Sequence, residues 1–240
     1  MNRRDEIAAN LAAVRERIAA ACAAVQRHPD EITMIAVTKT YPASDVLHLA
    51  ALGVREVGEN RDQEAAGKAA EVRAAGADVR WHFVGQLQRN KARSVASYAD
   101  LVHSVDRPAL AAALAEAAAK VRDRPLDVLI QVNLDPTAPE VSDPLHRGGV
   151  SPGSVAALAE LIGKDEALRL RGVMAVAPVN DDAGAAFARL AAVAAGLRAD
   201  HPNATVVSAG MSGDLEEAIA HGATHVRVGT ALLGKRALLG

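Results

Sequence analysis

The segment Ile-Thr-Met-Ile-Ala-Val-Thr-Lys-Thr-Tyr, residues 32–41, is an apolar run that ends on a lysine. Its apolar part is nearly continuous, a pattern typical of a strand that is buried on both faces of a parallel sheet. Burial at the end of such a strand would disfavour the charged form of Lys39, and a partly neutral amine suits Schiff-base chemistry with an aldehyde. The alternative is that Lys39 only marks the point where the strand meets solvent.

Strand and helix patterns alternate along the rest of the chain. Eight strands and intervening helices predict an α/β protein, a single (β/α)8 TIM barrel. An open doubly wound sheet is the alternative, but the glycine-rich dinucleotide turn expected after its first strand is absent, since residues 38–41 contain no glycine. The predicted strands are residues 32–39, 54–57, 79–84, 101–105, 126–132, 170–176, 204–207 and 224–228.

An extra helix precedes the first strand. Residues 3–27 carry one apolar stripe at helical spacing, formed by Ile7, Leu11, Val14, Ile18, Cys22 and Val25. Only a short helix, residues 230–239, follows the eighth strand. We therefore expect the N-terminal helix to pack outside the barrel beside strands one and eight, and residues 1–240 to form a single domain.

Composition limits the class of protein. The chain has 240 residues, a net charge of −2, 50% hydrophobic and 2% aromatic residues, and one cysteine. This charge argues against a nucleic-acid or anionic-membrane surface, and a lone cysteine cannot form an internal disulfide. No apolar run is long enough to span a bilayer, and the charged N-terminus does not resemble a signal peptide. We expect a cytoplasmic protein.

Two loops are candidates for binding a phosphate. The active sites of such barrels lie at the carboxyl ends of the strands, with phosphate commonly held after strands seven and eight. Residues 208–214, Ser-Ala-Gly-Met-Ser-Gly-Asp, follow strand seven, and Gly229–Thr230 follow strand eight. Either loop could be an ordinary cap or turn. Together, and opposite Lys39, they indicate a phosphorylated aldehyde such as pyridoxal 5'-phosphate.

At this point an ordered set of motifs resembles a known family. The chain resembles, over about residues 5–236, the YggS-type pyridoxal phosphate homeostasis proteins, which are related in fold to the N-terminal domain of alanine racemases. The motifs are Ala36–Lys39, Gly58–Asn60 with Gln63–Glu64, Trp81–Gly85 with Leu87–Gln88 and Asn90–Lys91, Gly172–Ala175, Gly210–Ser212 with Asp214, and Val226–Thr230.

The resemblance implies a set of cofactor contacts. Lys39 would form the Schiff base, and Arg227 would lie beside the pyridine nitrogen. The phosphate contacts would be Ser208, Met211, Gly229 and Thr230. For two residues, Asn60 and Arg227, the sequence alone leaves two interpretations open. Asn60 is a helix cap, a cofactor contact or both. Arg227 faces the barrel interior by alternation with Val226 and Val228, where it meets either the pyridine nitrogen or an inward carboxylate.

Two classes of function remain. One is a pyridoxal phosphate-dependent racemase or decarboxylase; the other is a non-enzymatic protein that holds the cofactor and passes it to apo-enzymes. A racemase needs acid–base groups on both faces of the substrate carbon, and in the related racemases a further domain brings the second. Here only Tyr41 and Tyr98 are present, and we expect no such domain after strand eight. We favour a monomeric homeostasis protein. His82, His103 and His225 lack metal-ligand spacing and are expected to be hydrogen-bonded core histidines.

Overall fold

A computed structural model of the chain describes residues 2–135, 148–178 and 181–234. Eight parallel strands form a closed barrel in which each strand pairs with the next and β8 pairs with β1. The predicted TIM barrel is therefore confirmed. The strands are β1 Thr33–Val37, β2 Glu56–Glu59, β3 Arg80–Phe83, β4 Leu101–Val105, β5 Leu126–Gln131, β6 Leu168–Met174, β7 Val206–Ser208 and β8 His225–Val228.

Helices surround the barrel and connect its strands. They are α1 Arg3–Ala24, α2 Ala43–Ala51, α3 Asp62–Ala74, α4 Ala92–Tyr98, α5 Pro108–Val121, α6 Val155–Gly163, α7 Ala183–Asp200, α8 Leu215–Ala220 and α9 Thr230–Leu233. Asp182 caps α7 as expected, because its side chain accepts a hydrogen bond from the amide of Ala185. In the described ranges no helix is both long and apolar enough to cross a membrane.

The extra N-terminal helix packs as its apolar stripe predicts. Its buried side chains, Ile7, Leu11, Val14, Ile18 and Cys22, share one apolar cluster with residues of β1, β8, α2, α8 and α9. In that cluster Val226 and Val228 face outward from β8 toward α1. Because successive side chains of a strand alternate, Arg227 faces the barrel interior, where it is buried. Both expectations, for α1 and for the direction of Arg227, are confirmed.

Several predicted boundaries are wrong. The second strand was expected at residues 54–57 but is Glu56–Glu59. Gly53 ends α2 in the left-handed region at φ 82°. The amide of Val54 then donates back to the carbonyl of Leu49, so the strand starts later and runs through Gly58.

The segment after β7 also differs from the prediction. A serine just before a helical pattern predicts an N-cap, and Ser212 has this position, but α8 begins at Leu215 with Asp214 at its N-cap. Ser212 Oγ instead accepts a hydrogen bond from the amide of Ala231 across 3.4 Å. The last helix, predicted for residues 230–239, is α9, which ends before Gly234; the rest of that prediction falls on residues 235–240, outside the described residues. The sequence also predicts a long loop over residues 133–150, of which residues 136–147 lie outside the described residues.

Candidate functional site

Lys39 lies in a turn beyond the carboxyl end of β1 and is exposed to solvent. The strand itself ends at Val37, and Thr40 in the turn adopts a positive φ of 69°. The sequence pattern suggested a lysine inside the buried strand end. That expectation is wrong, because the chain leaves the sheet after Thr38 and turns the next residue outward. The amine of Lys39 is therefore accessible to a ligand.

The turn that carries Lys39 is held by a buried ion pair. Lys68 Nζ, on α3, lies 2.5 Å from Glu59 Oε1 and donates to the carbonyl of Thr38 across 2.8 Å. The hydroxyl of Thr38 donates to the same Glu59 oxygen across 2.7 Å. Thr38 and Glu59 are inaccessible to solvent and Lys68 is only 8% exposed. The backbone just before Lys39 is therefore fixed, while its side chain is free to reach into the site.

Two side-chain oxygens at the end of β2 have no hydrogen-bond partner among the described residues. They are Glu59 Oε2 and Asn60 Oδ1, both buried. Asn60 is not the predicted helix cap, because α3 begins at Asp62 with Arg61 at its N-cap. The carbonyl of Asn60 packs against Gly85, where a Cβ would stand only 2.2 Å from it. A buried amide oxygen held by its backbone and left without a partner is the kind of group that a ligand satisfies.

The two loops predicted to hold a phosphate are adjacent. Ser212, in the loop after β7, and Ala231, at the start of α9, are joined by the hydrogen bond described above. Gly229 approaches β1 closely, since a Cβ there would lie 3.4 Å from the carbonyl of Val37. The Thr230 and Met211 side chains are exposed, and the Met211 amide donates to Asp214 Oδ1 across 2.6 Å. The loops thus lie beside the strand that leads to Lys39.

Arg227 is a buried cation with neutral partners. Its Nη1 donates to Ser208 Oγ across 2.7 Å and its Nη2 donates to the carbonyl of Ala175 across 2.8 Å. No carboxylate of the described residues forms an ion pair with Arg227. The predicted alternative, a salt bridge to an inward carboxylate, is therefore not found among these residues. Burial lowers the pKa of Arg227 to about 10, against the raising effect of the Asp214 charge. The guanidinium stays charged at neutral pH and keeps donors available for a ligand.

The three predicted core histidines are confirmed as buried or nearly buried and hydrogen-bonded. His82 and His103 contact each other, with His82 Nδ1 2.9 Å from His103 Nε2. His225 Nδ1 lies 2.9 Å from Thr224 Oγ1. Burial lowers the pKa of His103 well below its ordinary value and that of His225 to about 4. Among the described residues no three metal-ligating side chains form a cluster that could hold an ion.

Neither tyrosine offers a free hydroxyl beside Lys39. The hydroxyl of Tyr41 donates to the carbonyl of Gly234 across 2.6 Å. Tyr98 lies on α4 and lines a cleft with Val79, Asp100 and Arg124 at the amino ends of β3, β4 and β5. Tyr98 therefore borders the end of the barrel opposite Lys39, and burial raises the pKa of its hydroxyl above the ordinary value.

The residues present fit a small phosphorylated aldehyde with a ring nitrogen. An exposed amine, an unpartnered buried amide oxygen and a buried guanidinium with only neutral partners belong to elements that meet at the carboxyl ends of the strands. This is the class of barrel defined by the family model "Alanine racemase, N-terminal domain", which matches residues 4–237.

Relatives and solved structures narrow the class. A "Pyridoxal phosphate homeostasis protein" from Mycobacterium leprae is 41% identical over 97% of this chain and 94% of its own length. One from Escherichia coli K12 is 40% identical over 97% of both chains. The structure of PipY from Synechococcus elongatus with pyridoxal phosphate (PLP) bound is 36% identical, with a TM-score of 0.77, over 90% of this chain and all of that one. The chain belongs to the family of pyridoxal phosphate homeostasis proteins.

Sequence reasoning brought together Lys39, Asn60, Arg227 and the two loops, but it missed the polar groups beneath them. Glu59 and Lys68 were not singled out as supports of the Lys39 turn. The only sequence signal was weak: a carboxylate at the end of a strand is followed, nine residues later, by a lysine on the next helix. The histidines were recognised as core residues. His103 Nδ1 also lies 3.0 Å from Ser208 Oγ, a contact that crosses several strands and has no local sequence signature.

Proposed function

We propose that this protein binds pyridoxal 5'-phosphate through a Schiff base on Lys39 and contributes to PLP (vitamin B6) homeostasis, without substantial turnover of its own. The observation that carries the proposal is the pairing of an accessible Lys39 with a buried, charged Arg227 whose described partners are neutral. A buried cation without a carboxylate is costly unless a ligand completes its hydrogen bonds. The PLP-bound PipY structure, at 36% identity, supports the choice of ligand.

The proposed contacts distribute the cofactor's groups over the site. When bound, pyridoxal phosphate supplies an aldehyde that condenses with a primary amine to a Schiff base and releases water. Lys39 supplies that amine, and Asn60 offers its free Oδ1 to the ligand. Met211, Gly229 and Thr230 are assigned to the phosphate, together with the backbone at Ser208. Arg227 is assigned to the pyridine nitrogen, to which it can only donate.

These assignments favour a carrier over an enzyme. Because Arg227 only donates, the ring nitrogen it faces stays unprotonated, and such a ring is a poor acceptor of carbanion charge. A racemase also needs a second acid–base group, and the nearby Tyr41 hydroxyl is engaged by Gly234. The protein would instead hold the cofactor reversibly as a cytoplasmic monomer and deliver it to apo-enzymes. The alternative is a PLP-dependent amino-acid racemase or decarboxylase of the same fold.

Reductive labelling tests the attachment site. The purified protein is mixed with pyridoxal phosphate, its visible absorption is recorded, borohydride is added, and the modified peptide is identified by mass spectrometry. We expect the label on Lys39 in the wild type and in the control Lys91→Ala, and its loss in Lys39→Ala. Label on Lys68, Lys91, Lys120 or Lys164 in place of Lys39 would refute the assignment.

A further inference from the structure

Five polar side chains form one continuous hydrogen-bonded chain through the interior of the barrel. Glu56 Oε2 lies 2.5 Å from His82 Nε2, and His82 Nδ1 lies 2.9 Å from His103 Nε2. His103 Nδ1 lies 3.0 Å from Ser208 Oγ, which accepts from Arg227 Nη1 across 2.7 Å. We call these residues the interior chain. They come from β2, β3, β4, β7 and β8.

The interior chain runs from one end of the barrel to the other. Glu56 is the first residue of β2, so it lies at the amino ends of the strands, and its side chain is 19% exposed. Ser208 is the last residue of β7, at the carboxyl ends where the candidate site lies. The links between them are sealed from solvent, since His82 is 1% and His103 is 0% exposed. The chain therefore connects the far end of the barrel to Arg227.

The donors and acceptors allow one direction for the protons. A guanidinium has no lone pair to accept with, so Arg227 donates and Ser208 Oγ accepts. In the direction that satisfies every group of the interior chain, the hydroxyl proton of Ser208 is donated to His103 Nδ1, which is unprotonated. A neutral imidazole has a single proton, so that of His103 is on Nε2 and is donated to His82 Nδ1. By the same rule His82 carries its proton on Nε2 and donates it to the carboxylate of Glu56.

The reverse direction leaves groups unsatisfied. Ser208 Oγ would then accept from both Arg227 and His103 Nδ1, which leaves the hydroxyl proton without an acceptor in the interior chain, and an unprotonated His82 nitrogen would face the carboxylate of Glu56. Unsatisfied polar groups inside a sealed barrel are costly. A second proton on His82 would satisfy Glu56, but His82 Nδ1 would then donate to His103, and the Ser208 proton would again have no acceptor in the interior chain. The carboxylate at the far end thus determines how Ser208 is oriented.

We infer that Glu56, His82 and His103 are positioning residues for Arg227: they keep the hydroxyl proton of Ser208 turned away, so that a lone pair of Ser208 Oγ fixes the guanidinium. This inference rests on the proposed function for its consequence at the cofactor. It also assigns the Ser208 hydroxyl to Arg227, leaving only the backbone of that residue for the phosphate. Glu56, at the opposite end of the barrel, becomes a determinant of cofactor retention without touching the cofactor.

The first experiment needs no cofactor. Long-range proton–nitrogen correlation spectra of the ¹⁵N-labelled, ligand-free protein at pH 7 report which ring nitrogen of each histidine carries the proton. We expect His82 and His103 both to be neutral with the proton on Nε2. In Glu56→Leu, which removes the acceptor, the His82 signals should no longer show a proton on Nε2 alone. In Glu56→Gln, whose amide oxygen still accepts, they should keep it. A proton on Nδ1 of either histidine in the wild type would overturn the inference.

The second experiment measures the consequence. Cofactor dissociation is compared in the wild type, in Glu56→Leu, Glu56→Gln and Ser208→Ala, and in the exposed control Glu71→Gln. A weakening of Arg227 positioning by about 1 kcal/mol corresponds to about fivefold weaker retention, which we expect for Glu56→Leu and Ser208→Ala. Glu56→Gln and Glu71→Gln should stay near the wild type, and Ser208→Ala keeps the test valid if Glu56→Leu prevents folding.

The outcomes separate this inference from the proposed function. If the wild type binds no pyridoxal phosphate, the proposed function fails, and the histidine spectra still decide whether the interior chain has the stated direction. If the spectra are as expected but Ser208→Ala retains the cofactor as the wild type does, the positioning role is refuted and the proposed function stands.

Discussion

The hydroxyl of Tyr41 donates a hydrogen bond to the carbonyl oxygen of Gly234 across 2.6 Å, which ties the turn after β1 to the end of α9. The Tyr41 hydroxyl therefore donates its proton within the protein and stabilises the fold. We expect Tyr41→Phe to lower the free energy of unfolding by about 1 kcal/mol while leaving cofactor retention near that of the wild type. Urea unfolding and cofactor dissociation, measured on the same preparations, check both parts. Loss of the cofactor without loss of stability would show that the hydroxyl serves the ligand.

The class of function can be decided with amino acids. The cofactor-loaded protein, incubated with L-alanine, should produce negligible D-alanine by chiral chromatography, and it should restore activity to an apo-enzyme. Turnover on the order of one per second or faster, typical of enzymes, would establish the racemase alternative. Lys39→Ala is the matched control in both assays, since it should neither retain nor deliver covalently held cofactor.

The buried pair of Lys68 and Glu59 supports the Lys39 turn, and its removal should be costly. In Lys68→Met the Glu59 carboxylate, inaccessible to solvent, loses the one cation that pairs with it among the described residues, and breaking such a pair costs about 3–5 kcal/mol. The double variant Lys68→Met with Glu59→Gln should recover much of that loss. Lys120→Met is the exposed control, because Lys120 pairs with Glu116 on the surface, and its unfolding should be close to that of the wild type. Equal effects of the two lysine variants would contradict the structural role.

Gly85 tests the placement of Asn60. A Cβ at this position would lie 2.2 Å from the Asn60 carbonyl oxygen and 2.7 Å from its Cα, so the backbone must move. We expect Gly85→Ala to destabilise the protein by about 1–3 kcal/mol and to weaken cofactor retention. The control is Gly67→Ala on α3, where nothing lies within 4 Å, and which should stabilise the helix by about 0.5–1 kcal/mol. Retention unchanged in Gly85→Ala would remove Asn60 from the site.

The buried histidines predict how stability depends on pH. Burial lowers the pKa of His103 well below its ordinary value and that of His225 to about 4. At pH 7 both are neutral whether the chain is folded or unfolded. As the pH falls below about 6.5, the unfolded chain binds protons that the folded protein does not, so stability is lost, by about 1 kcal/mol per histidine at pH 5.5.

Denaturant unfolding of the wild type and of His103→Gln at pH 7 and pH 5.5 checks this. The loss of stability between the two pH values should be about 1 kcal/mol smaller in the variant, whatever its stability at pH 7. His28→Gln replaces an exposed histidine as the control and should behave as the wild type. An unchanged pH dependence in His103→Gln would mean that folded His103 titrates like an exposed residue.

The sequence predicted those features of the fold that depend on local periodicity. The strand-and-helix alternation, the apolar stripe of α1 and the inward direction of Arg227 follow from spacings of two or three to four residues, and the structure confirms them. The exposure of Lys39 did not follow from its pattern, because two residues after Val37 decide whether the chain continues in the sheet or turns. The interior chain could not be predicted either, since Glu56 and Ser208 are joined only through residues of two other strands. A comparison of alternate positions along every strand would have found polar residues facing inward on β3, β4 and β8, and these are the signal of the interior chain.

The packing of α1 against α8, α9 and β8 has a consequence for how the chain acquires its structure during translation. The helix leaves the ribosome before any strand of the barrel, while its partners at residues 215–233 are synthesised after seven of the eight strands. At about 5–20 residues per second, the apolar stripe of α1 stays without these partners for roughly 10–40 s. Closing the barrel thus joins segments that are far apart in the sequence, and such long-range contacts slow folding. A nascent chain arrested before residue 215 should expose that stripe to chaperones.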